Sequence, residues 1–395
     1  MCFLVLLGLA MFAGADDWPR YMGPNMEGIS REDGLADRWP EGGPKLLWRY
    51  ALGQGFSAVS VSDRRAITMG QKGGEQYVIA LNADTGETLW KVQTNKDYGG
   101  GGYPGPRSTP TIDGDKVYVF DSFGKLMCLN VEDGSKVWSF NALEKFKAEN
   151  MQWGVSSSAL IDEDRLYIHL GSSNGASVIC LNKLTGATIW TSQNKSGGYS
   201  SPLIRTINSK RQLVSYLSRG PVGLDLDTGE RLWHAPWKTP HDVHAATPIV
   251  LENYVFITSG YNMGCQVIKV EAGGAEVVQK SRSMRSQMSS PRLYDDNIYG
   301  FDDNAFACVV PGTLEQKWRE RYGKGAFTIA DGKAYILGQQ GSLTLAKLSP
   351  EKLTVLSTVE DTPLKARRNW TMPVIANGKM YCRNENILVC YDVSE

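Results

Sequence analysis

The feature that most constrains the fold of this chain is an eleven-residue motif that recurs along it. The tryptophans that end successive copies are 48, 52 and 43 residues apart. In each copy an Asn or Asp and a Gly that tolerates positive φ predict a hairpin turn, and a strand leads from the turn to Trp. A repeat at this period is typical of a fold built from one supersecondary unit. The four copies are ALNADTGETLW (80–90), CLNVEDGSKVW (128–138), CLNKLTGATIW (180–190) and GLDLDTGERLW (223–233).

Each repeat is predicted to contain four short strands, because a second hairpin precedes the motif. Asp113-Gly114 precedes the strand KVYVF, and Asp162-Glu163-Asp164 precedes RLYIHL. Weaker copies of the same pattern continue towards the C-terminus. The predicted units span 56–94, 108–140, 156–193, 200–237, 246–284, 289–322, 325–361 and 371–395.

The last unit, 371–395, supplies only three strands, and the missing strand with its Trp is present in KLLWRY at 45–50. A ring of sheets leaves only short, protected edges when the chain start completes its last sheet. We therefore predict an all-β fold, an eight-bladed β-propeller of four-stranded antiparallel blades closed by the N-terminal strand. Seven blades remain an alternative if one weak unit is not a blade. The propeller is expected to occupy 45–395 as one domain, preceded by an arm at 16–44.

Composition and the N-terminus indicate an exported protein. Residues 1–15, MCFLVLLGLAMFAGA, are an uncharged apolar run that ends in a small-residue cleavage pattern, which predicts a signal peptide. No later stretch is long and apolar enough to span a bilayer. The 42 Lys and Arg balance the 42 Asp and Glu, which argues against a nucleic-acid partner. We expect a soluble monomer in the periplasm or outside the cell.

The Ala-Leu-Asn-x-x-Thr-Gly-x-x-x-Trp motif resembles the repeat of the pyrroloquinoline quinone (PQQ)-type β-propellers. That family includes quinoprotein alcohol dehydrogenases and the BamB-type outer-membrane assembly protein, so the resemblance implies a fold and leaves the function open. The dehydrogenases commonly place a vicinal disulfide against PQQ, and this sequence has no adjacent cysteines. PQQ and Ca²⁺ are therefore expected only if the dehydrogenase alternative holds.

The motif tryptophans and most cysteines are interpreted as structural. Each Trp is expected to dock one blade on the next, with its indole N–H bonded to a backbone carbonyl. Cys128, Cys180, Cys308 and Cys390 occupy a small-residue position that Ala or Gly fills in other copies, which predicts buried thiols. Cys382 and Cys390 remain candidates for a disulfide across one hairpin.

The candidate ligand site is the set of loops that connect one blade to the next, because these surround the mouth of the central channel. The loops between the predicted units carry an excess of positive charge and several aromatic residues. The combination favours an anionic or planar ligand, or an acidic partner segment. Arginines that only solvate long loops are the alternative. No catalytic or metal-binding residues are assigned. The predicted ligand-binding residues are Arg107, Trp153, His244, Arg285, Gln287, Arg368 and Trp370.

These observations favour a non-catalytic scaffold that binds a protein or polymer at its loop face, as the BamB-type resemblance implies. A PQQ-dependent quinoprotein alcohol dehydrogenase is one alternative. A carbohydrate- or polyol-binding propeller, with Tyr103, Trp153 and Trp370 as stacking platforms, is another. Whether the chain is an enzyme stays open at this point.

Overall fold

The chain forms a closed ring of four-stranded sheets. The computed structural model describes residues 17–172, 174–194 and 197–395, so the predicted signal peptide at 1–15 lies outside the described residues. Within them are eight antiparallel four-stranded sheets, and in seven of these the strands follow one another in the chain. In the eighth, the N-terminal strand β1 pairs with the last strand, β32. The predicted eight-bladed propeller and its closure by the N-terminus are confirmed.

The strands of the first four blades are short and separated by tight turns. Blade 1 has β2 Ser60–Ser62, β3 Arg65–Lys72, β4 Glu75–Asn82 and β5 Thr88–Lys96. Blade 2 has β6 Thr111–Asp113, β7 Lys116–Phe120, β8 Lys125–Asn130 and β9 Lys136–Asn141. Blade 3 has β10 Leu160–Asp162, β11 Arg165–His169, β12 Val178–Asn182 and β13 Thr188–Ser192. Blade 4 has β14 Leu203–Ile207, β15 Lys210–Leu217, β16 Gly220–Asp225 and β17 Arg231–His234.

The second half of the ring repeats this order and ends with the closing strand. Blade 5 has β18 Ile249–Leu251, β19 Tyr254–Ser259, β20 Gly264–Glu271 and β21 Gly274–Ser281. Blade 6 has β22 Arg292–Tyr294, β23 Asn297–Asp302, β24 Ala305–Val309 and β25 Gln316–Arg321. Blade 7 has β26 Gly325–Ala330, β27 Lys333–Gly338, β28 Leu343–Leu348 and β29 Leu353–Val359. Blade 8 has β30 Val374–Ala376, β31 Lys379–Arg383, β32 Leu388–Asp392 and β1 Lys45–Tyr50. One short helix, α1 Ala142–Lys145, and 3₁₀ turns at Gly100–Gly102 and Pro240–Asp242 lie in the connections.

The recurrent motif is explained by the contact between one blade and the next. In blade 1 the Asn82 side-chain oxygen accepts hydrogen bonds from the backbone N–H groups of Asp84 and Thr85, at 2.9 and 3.1 Å. Gly86 follows at φ 75°, and a Cβ atom there would lie 2.7 Å from the Trp48 ring of blade 8. Gly is thus required both by the backbone conformation and by the close approach of the neighbouring indole.

The motif tryptophans dock blades through their indole N–H groups, as predicted. Five of them donate to a backbone carbonyl of the following blade at 2.8–3.0 Å, namely Trp48, Trp90, Trp138, Trp190 and Trp318. Trp233 is the exception, because it donates to the Gln212 side chain of its own blade. Blade 5 beside it has a tight β20–β21 turn, with Glu271 paired to Gly274. That turn is shorter than the connections between third and fourth strands that supply the carbonyl in the other blades.

The cysteines are buried thiols, as predicted. The six that the structure describes are all buried and free. In blade 8, Cys390 lies opposite Tyr381 and Cys382 lies opposite Val389. Cys382 and Cys390 therefore belong to neighbouring register positions, whose side chains lie on opposite faces of the sheet. This register explains why the disulfide considered for this hairpin is not formed.

The N-terminal arm crosses the end of the propeller where first strands turn into second strands. Trp18 forms a β-bridge with Val61 of blade 1, and Ile29 pairs with Ile329 of blade 7. Near the end of the arm, Glu32 accepts hydrogen bonds from two backbone N–H groups of the blade 8 turn at 377–378. Buried apolar arm side chains join the cores of the blades, namely Trp18, Met22, Met26, Leu35 and Trp39. The arm closes this end of the central channel.

Candidate functional site

A cavity of about 330 Å³ lies on the propeller axis, at the end opposite the arm. First strands of neighbouring blades contact one another, so the residues that precede these strands surround the channel. Tyr21 of the arm also lines the cavity, and its hydroxyl lies 3.2 Å from the Ser290 Oγ atom. The arm therefore reaches the cavity from the other end of the channel. Its lining includes Phe56, Tyr103, Arg107, Trp153, Tyr199, Tyr261, Gln287, Arg292, Lys324, Trp370 and Met372.

Two groups of aromatic rings line this cavity. In the first, Phe56 stacks on Trp370 with ring centroids 5.2 Å apart, and Tyr103 lies 5.4 Å from the same indole. In the second, Trp153 contacts Tyr199, with a centroid distance of 5.5 Å. The rings come from connections between different blades, and their mutual contacts fix them in place. The result is a mostly apolar cavity with flat walls.

Arg107 is a largely buried cation at the cavity. Its guanidinium donates to the carbonyls of Gly105, at 2.7 Å, and Tyr103, and its Cζ atom lies 5.7 Å from the Phe56 ring centroid. Burial lowers the pKa of Arg107 to about 10, so the group stays charged at neutral pH. A Cβ atom at Gly100 would lie 2.6 Å from its Nη2 atom, which explains part of the glycine run at 99–102.

Arg292 is a second cation of the lining, 2% exposed. It donates to the carbonyls of Gly28, Ser290 and Phe327 at 3.2, 2.5 and 3.1 Å. Burial lowers its pKa to about 10. Lys324, a third cation, donates to the Gln287 side-chain oxygen at 2.8 Å. No Asp or Glu lines the cavity in the described part of the chain.

Hydroxyl groups connect the first strands around the channel. The Thr109 hydroxyl accepts a hydrogen bond from the Ala58 N–H. In the same way, the Ser158 hydroxyl accepts from the Thr109 N–H, and the Ser201 hydroxyl accepts from the Ser158 N–H. Across the ring, Ser290 accepts from the Thr247 N–H at 2.9 Å. Each of these bonds satisfies a backbone donor of one blade with a side chain of the next.

The structure separates the predicted ligand-binding residues into two groups. Arg107, Trp153, Gln287 and Trp370 line the cavity. Arg368 lies over the rings of Tyr103 and Trp370 from outside the lining, 3.4 Å from Glu385. Arg285 is held by Asp302 and Asp303, at 2.6 and 3.2 Å. His244 is fully buried, with its Nε2 atom 3.1 Å from the Thr239 hydroxyl.

Sequence reasoning missed Tyr21, Arg292 and the ring of hydroxyl groups. A signal for the hydroxyls was present, because Ser or Thr precedes or follows a Pro at the start of several units, as in STPT, SSPL, ATPI and SSPR. Nothing local marks Arg292, since its carbonyl partner Gly28 is 264 residues away in the chain. Tyr21 is likewise placed only by the course of the arm.

The two buried histidines predict a loss of stability in acid. Burial lowers the pKa of both His169 and His244 to about 4, below the ordinary value of 6.5. Between these values the unfolded chain binds protons that the folded chain does not, so stability falls as pH drops through this window. We expect about 2 kcal/mol lost per histidine between neutral pH and about pH 5, measured by urea denaturation.

The control for this pH dependence is a pair of variants. His169→Gln should flatten the slope of stability against pH whatever its effect at neutral pH. His244→Gln should flatten the slope in the same way, and the double variant should flatten it more than either single variant. Equal slopes for wild type and His169→Gln would contradict the assignment.

The donor set does not fit the calcium ion of a quinoprotein dehydrogenase. Ca²⁺ takes about six to eight oxygen ligands, with carboxylates prominent among them. The cavity lining offers hydroxyls and one amide, with three cations and no carboxylate. In the described part of the chain, no group of three or more His, Cys, Asp or Glu is placed to hold a metal ion.

Four-stranded blades that contain an Asx–Gly turn and dock on one another through tryptophans define a β-propeller of the PQQ-repeat type. The family model described as outer membrane protein assembly factor BamB matches residues 43–168 and 74–320. The chain belongs to this family. None of the helices among the described residues has the length and apolar character needed to span a membrane.

Individual proteins and solved structures are also similar to this chain. The outer membrane protein assembly factor BamB of Shewanella oneidensis is 24% identical over 295 residues, which cover 70% of this chain and 68% of that protein. The crystal structure of BamB from Moraxella catarrhalis superposes with a TM-score of 0.61 at 15% identity, over 88% of this chain and 97% of that chain. The quinoprotein ethanol dehydrogenase of Pseudomonas putida is 28% identical over 151 residues, covering 35% of this chain and 24% of that enzyme.

Proposed function

We propose that this protein is an exported, non-catalytic binding protein that acts in cell-envelope protein assembly, as its BamB relatives are named for doing. In this proposal a protein partner binds the end of the propeller that carries the cavity mouth. Family membership supports the assembly role. The observation that carries the binding face is the exposed aromatic row at the mouth.

That row consists of Trp153 before blade 3, His241 between blades 4 and 5, and Tyr261 within blade 5. Tyr261 is 42% exposed, its ring lies 5.6 Å from His241, and His241 lies 6.0 Å from Trp153. Exposed aromatic residues beside cations are enriched at the centres of protein interfaces. The arm covers the other end of the channel, so the mouth is the end at which a partner reaches the axis.

The experiment is site-specific photo-crosslinking in the native host. A photoreactive phenylalanine analogue replaces Tyr261 in one strain and Leu184 in another. Leu184 is 55% exposed and lies in the turn between β12 and β13, so it is a matched exposed control away from the mouth. We expect position 261 to crosslink to a component of the outer-membrane assembly machinery and position 184 not to do so. No adduct at 261, or the same adduct at both positions, would contradict the proposal.

Export has its own test. Cell fractionation followed by mass spectrometry of the intact protein should find the chain outside the cytoplasm, with its N-terminus near Asp16. Recovery of the full-length chain from the cytoplasm would refute export without affecting the fold. A carbohydrate ligand at the same face stays a prediction, as does a monomeric state.

A further inference from the structure

A second open region lies at the arm end of the propeller. It is a depression of about 370 Å³, lined by the arm, by β10 of blade 3 and by β14 and β15 of blade 4. Its lining residues all differ from those of the axial cavity. Three arginines and two carboxylates line it, so the net charge of the lining is +1. These five side chains are Arg20, Arg205, Arg211, Glu27 and Asp162.

Arg20 has no counter-charge in direct contact within the described part of the chain. Its Nη1 atom donates to a backbone carbonyl of blade 3 at 3.1 Å, and its buried Nε atom has no acceptor among the described residues. The carboxylates whose charges act on it are those of Asp113 and Asp162. Lys183 and Arg211 each hold one of these carboxylates at 2.6 Å. Burial lowers the pKa of Arg20, because the cation loses solvation without a partner in contact.

Arg205 is held in place by backbone carbonyls, two of them from the arm. Its Nη1 atom donates to the Ile204 carbonyl at 2.9 Å, and its Nη2 atom donates to the carbonyls of Asn25 and Met26 at 2.9 and 3.4 Å. The nearest carboxylate oxygen, on Glu27, lies 3.8 Å from Nη2, which is too far for a hydrogen bond. Burial lowers the pKa of Arg205 as well. Its charge is therefore fixed at the depression and only partly compensated.

Other arginines at the same end of the propeller contact carboxylates directly. Arg64, in the turn between β2 and β3, lies 2.7 Å from Asp84. Arg165, at the start of β11, lies 2.8 Å from Asp227. Incomplete pairing is thus a property of the depression and not of every arginine at this end.

Two guanidinium groups with free donors are anchored next to each other at this site. Arg20 donates to the Ile161 carbonyl of β10. Arg211 donates from Nη2 to the carboxylate of the next residue, Asp162, at 2.6 Å. A guanidinium carries five N–H groups, and 51% of the Arg211 side chain is exposed, so donors remain for a ligand. The exposed hydroxyl of Thr206, opposite Arg211 in the β14–β15 register, adds a further donor.

Donor geometry and charge indicate the class of ligand. Donors reach the depression from the arm and from blade 4, which suits an oxyanion with acceptor oxygens on several sides. Phosphate has such oxygens, and arginine is the side chain best suited to bind it. Because the lining carries a net charge of +1, a singly charged phosphodiester leaves the occupied site neutral. A doubly charged phosphate monoester would leave excess negative charge beside the two carboxylates. The open shape leaves room for the groups on both ester oxygens.

We propose that this depression binds a phosphodiester, with the phosphate oxygens on the guanidinium groups of Arg20 and Arg211 and with Arg205 adding charge beside them. A phospholipid headgroup and a free phosphodiester share this chemistry. The site goes beyond the proposed function and is independent of it, because the depression lies at the arm end and the proposed protein partner binds at the cavity mouth.

The test is calorimetric titration of the purified full chain with glycerophosphoglycerol and, in parallel, with diglycerol, which lacks the phosphate. We expect one molecule of the diester to bind per chain, and diglycerol to bind at least roughly tenfold more weakly. Equal binding of the two probes, or no binding of the diester at millimolar concentration, would overturn the proposal. Inorganic phosphate that binds as tightly as the diester would overturn the assignment to diesters.

Flotation with phosphatidylglycerol vesicles distinguishes the two sources of the ligand. A chain that binds glycerophosphoglycerol and floats with the vesicles takes the headgroup from a membrane. A chain that binds the soluble diester and does not float takes a free phosphodiester.

Variants locate the binding site on the surface. Arg20→Gln should weaken glycerophosphoglycerol at least roughly tenfold. Thr206→Glu places a negative charge in the lining at an exposed position, so it should weaken the diester similarly without disturbing the core. Arg64→Gln removes an equal charge from a side chain that is 77% exposed at the same end, and should leave binding unchanged. Thermal unfolding establishes that each variant is folded. A folded Arg20→Gln or Thr206→Glu variant that binds the diester like wild type would overturn the proposal, and the crosslinking result at Tyr261 would be unaffected.

Discussion

A chain truncated to begin at Ala51 is expected to lose cooperative folding. The truncation removes β1, which pairs along its length with β32 and completes blade 8. It also removes Trp48, whose indole donates to the Ala83 carbonyl of blade 1 at 3.0 Å and so joins the last blade to the first. An open ring exposes a sheet edge and the apolar surface between two blades. Circular dichroism and thermal unfolding of the truncated chain measure the effect.

Point variants separate the contribution of strand β1 to stability from the general effect of removing the N-terminal residues. Trp48→Ala is expected to cost about 3–5 kcal/mol, the usual range for removing a large buried aromatic side chain. Leu46 lies on the same strand with 43% of its surface exposed, so Leu46→Ala should cost less than about 0.5 kcal/mol. A truncated chain that melts like the full protein would refute closure by the N-terminal strand.

Asp302→Asn is expected to destabilise the protein by about 1.5–3 kcal/mol, because it removes the charge-assisted hydrogen bonds between a buried carboxylate and two arginines. The Asp302 side chain is 1% exposed, and the Nε atoms of Arg285 and Arg319 each lie 2.6 Å from one of its oxygens. Burial alone would raise the pKa of this carboxyl, but the two arginines outweigh it and hold the pKa below its ordinary value. Urea denaturation at neutral pH measures the loss.

The acid limb of the stability curve gives a second readout of the same cluster. Because the folded pKa of Asp302 is depressed, its contribution is present above the ordinary pKa of 3.8 and is lost as pH falls towards the folded value. Asp302→Asn should reduce that acid loss. Asp303→Asn, at a neighbour with 34% of its side chain exposed, should cost less than about 1 kcal/mol. Equal effects of the two variants would contradict the buried cluster.

The Asp302 cluster shows why the sequence alone could not predict the contacts of some candidate site residues. Arg285 was predicted as a ligand-binding residue because it lies in a blade-connecting loop with other cations. Asp302 neutralises it from the end of strand β23, a pairing that depends on how two segments of the ring pack. His244 was predicted for the same reason but lies buried beside Tyr216, with ring centroids 4.5 Å apart. Their position in blade-connecting loops predicted roughly where these side chains lie, but it did not predict which residues they contact.

The sequence by itself determined the blade, the ring and its closure. Asn82 and Gly86 shape one turn, and Trp90 contacts the next blade. Because these residues are only a few positions apart, their spacing in the sequence is enough to predict the turn and the contact. Repetition of that short-range pattern, together with a last unit one strand short, is sufficient to predict an eight-bladed propeller. Arg107, Trp153, Gln287 and Trp370 could be named because every connection into a first strand ends at the channel.

Only the tertiary structure decided what closes the pocket and which charges are free. The arm has no repeat pattern, so its course from Val61 past Gly28 to the blade 8 turn follows from packing against many blades at once. Arg292 reaches Gly28 across 264 residues of chain. Such contacts join segments that no local spacing relates. The charge balance of the cavity depends on them, because a cation is paired or unpaired according to what the folded ring brings within reach.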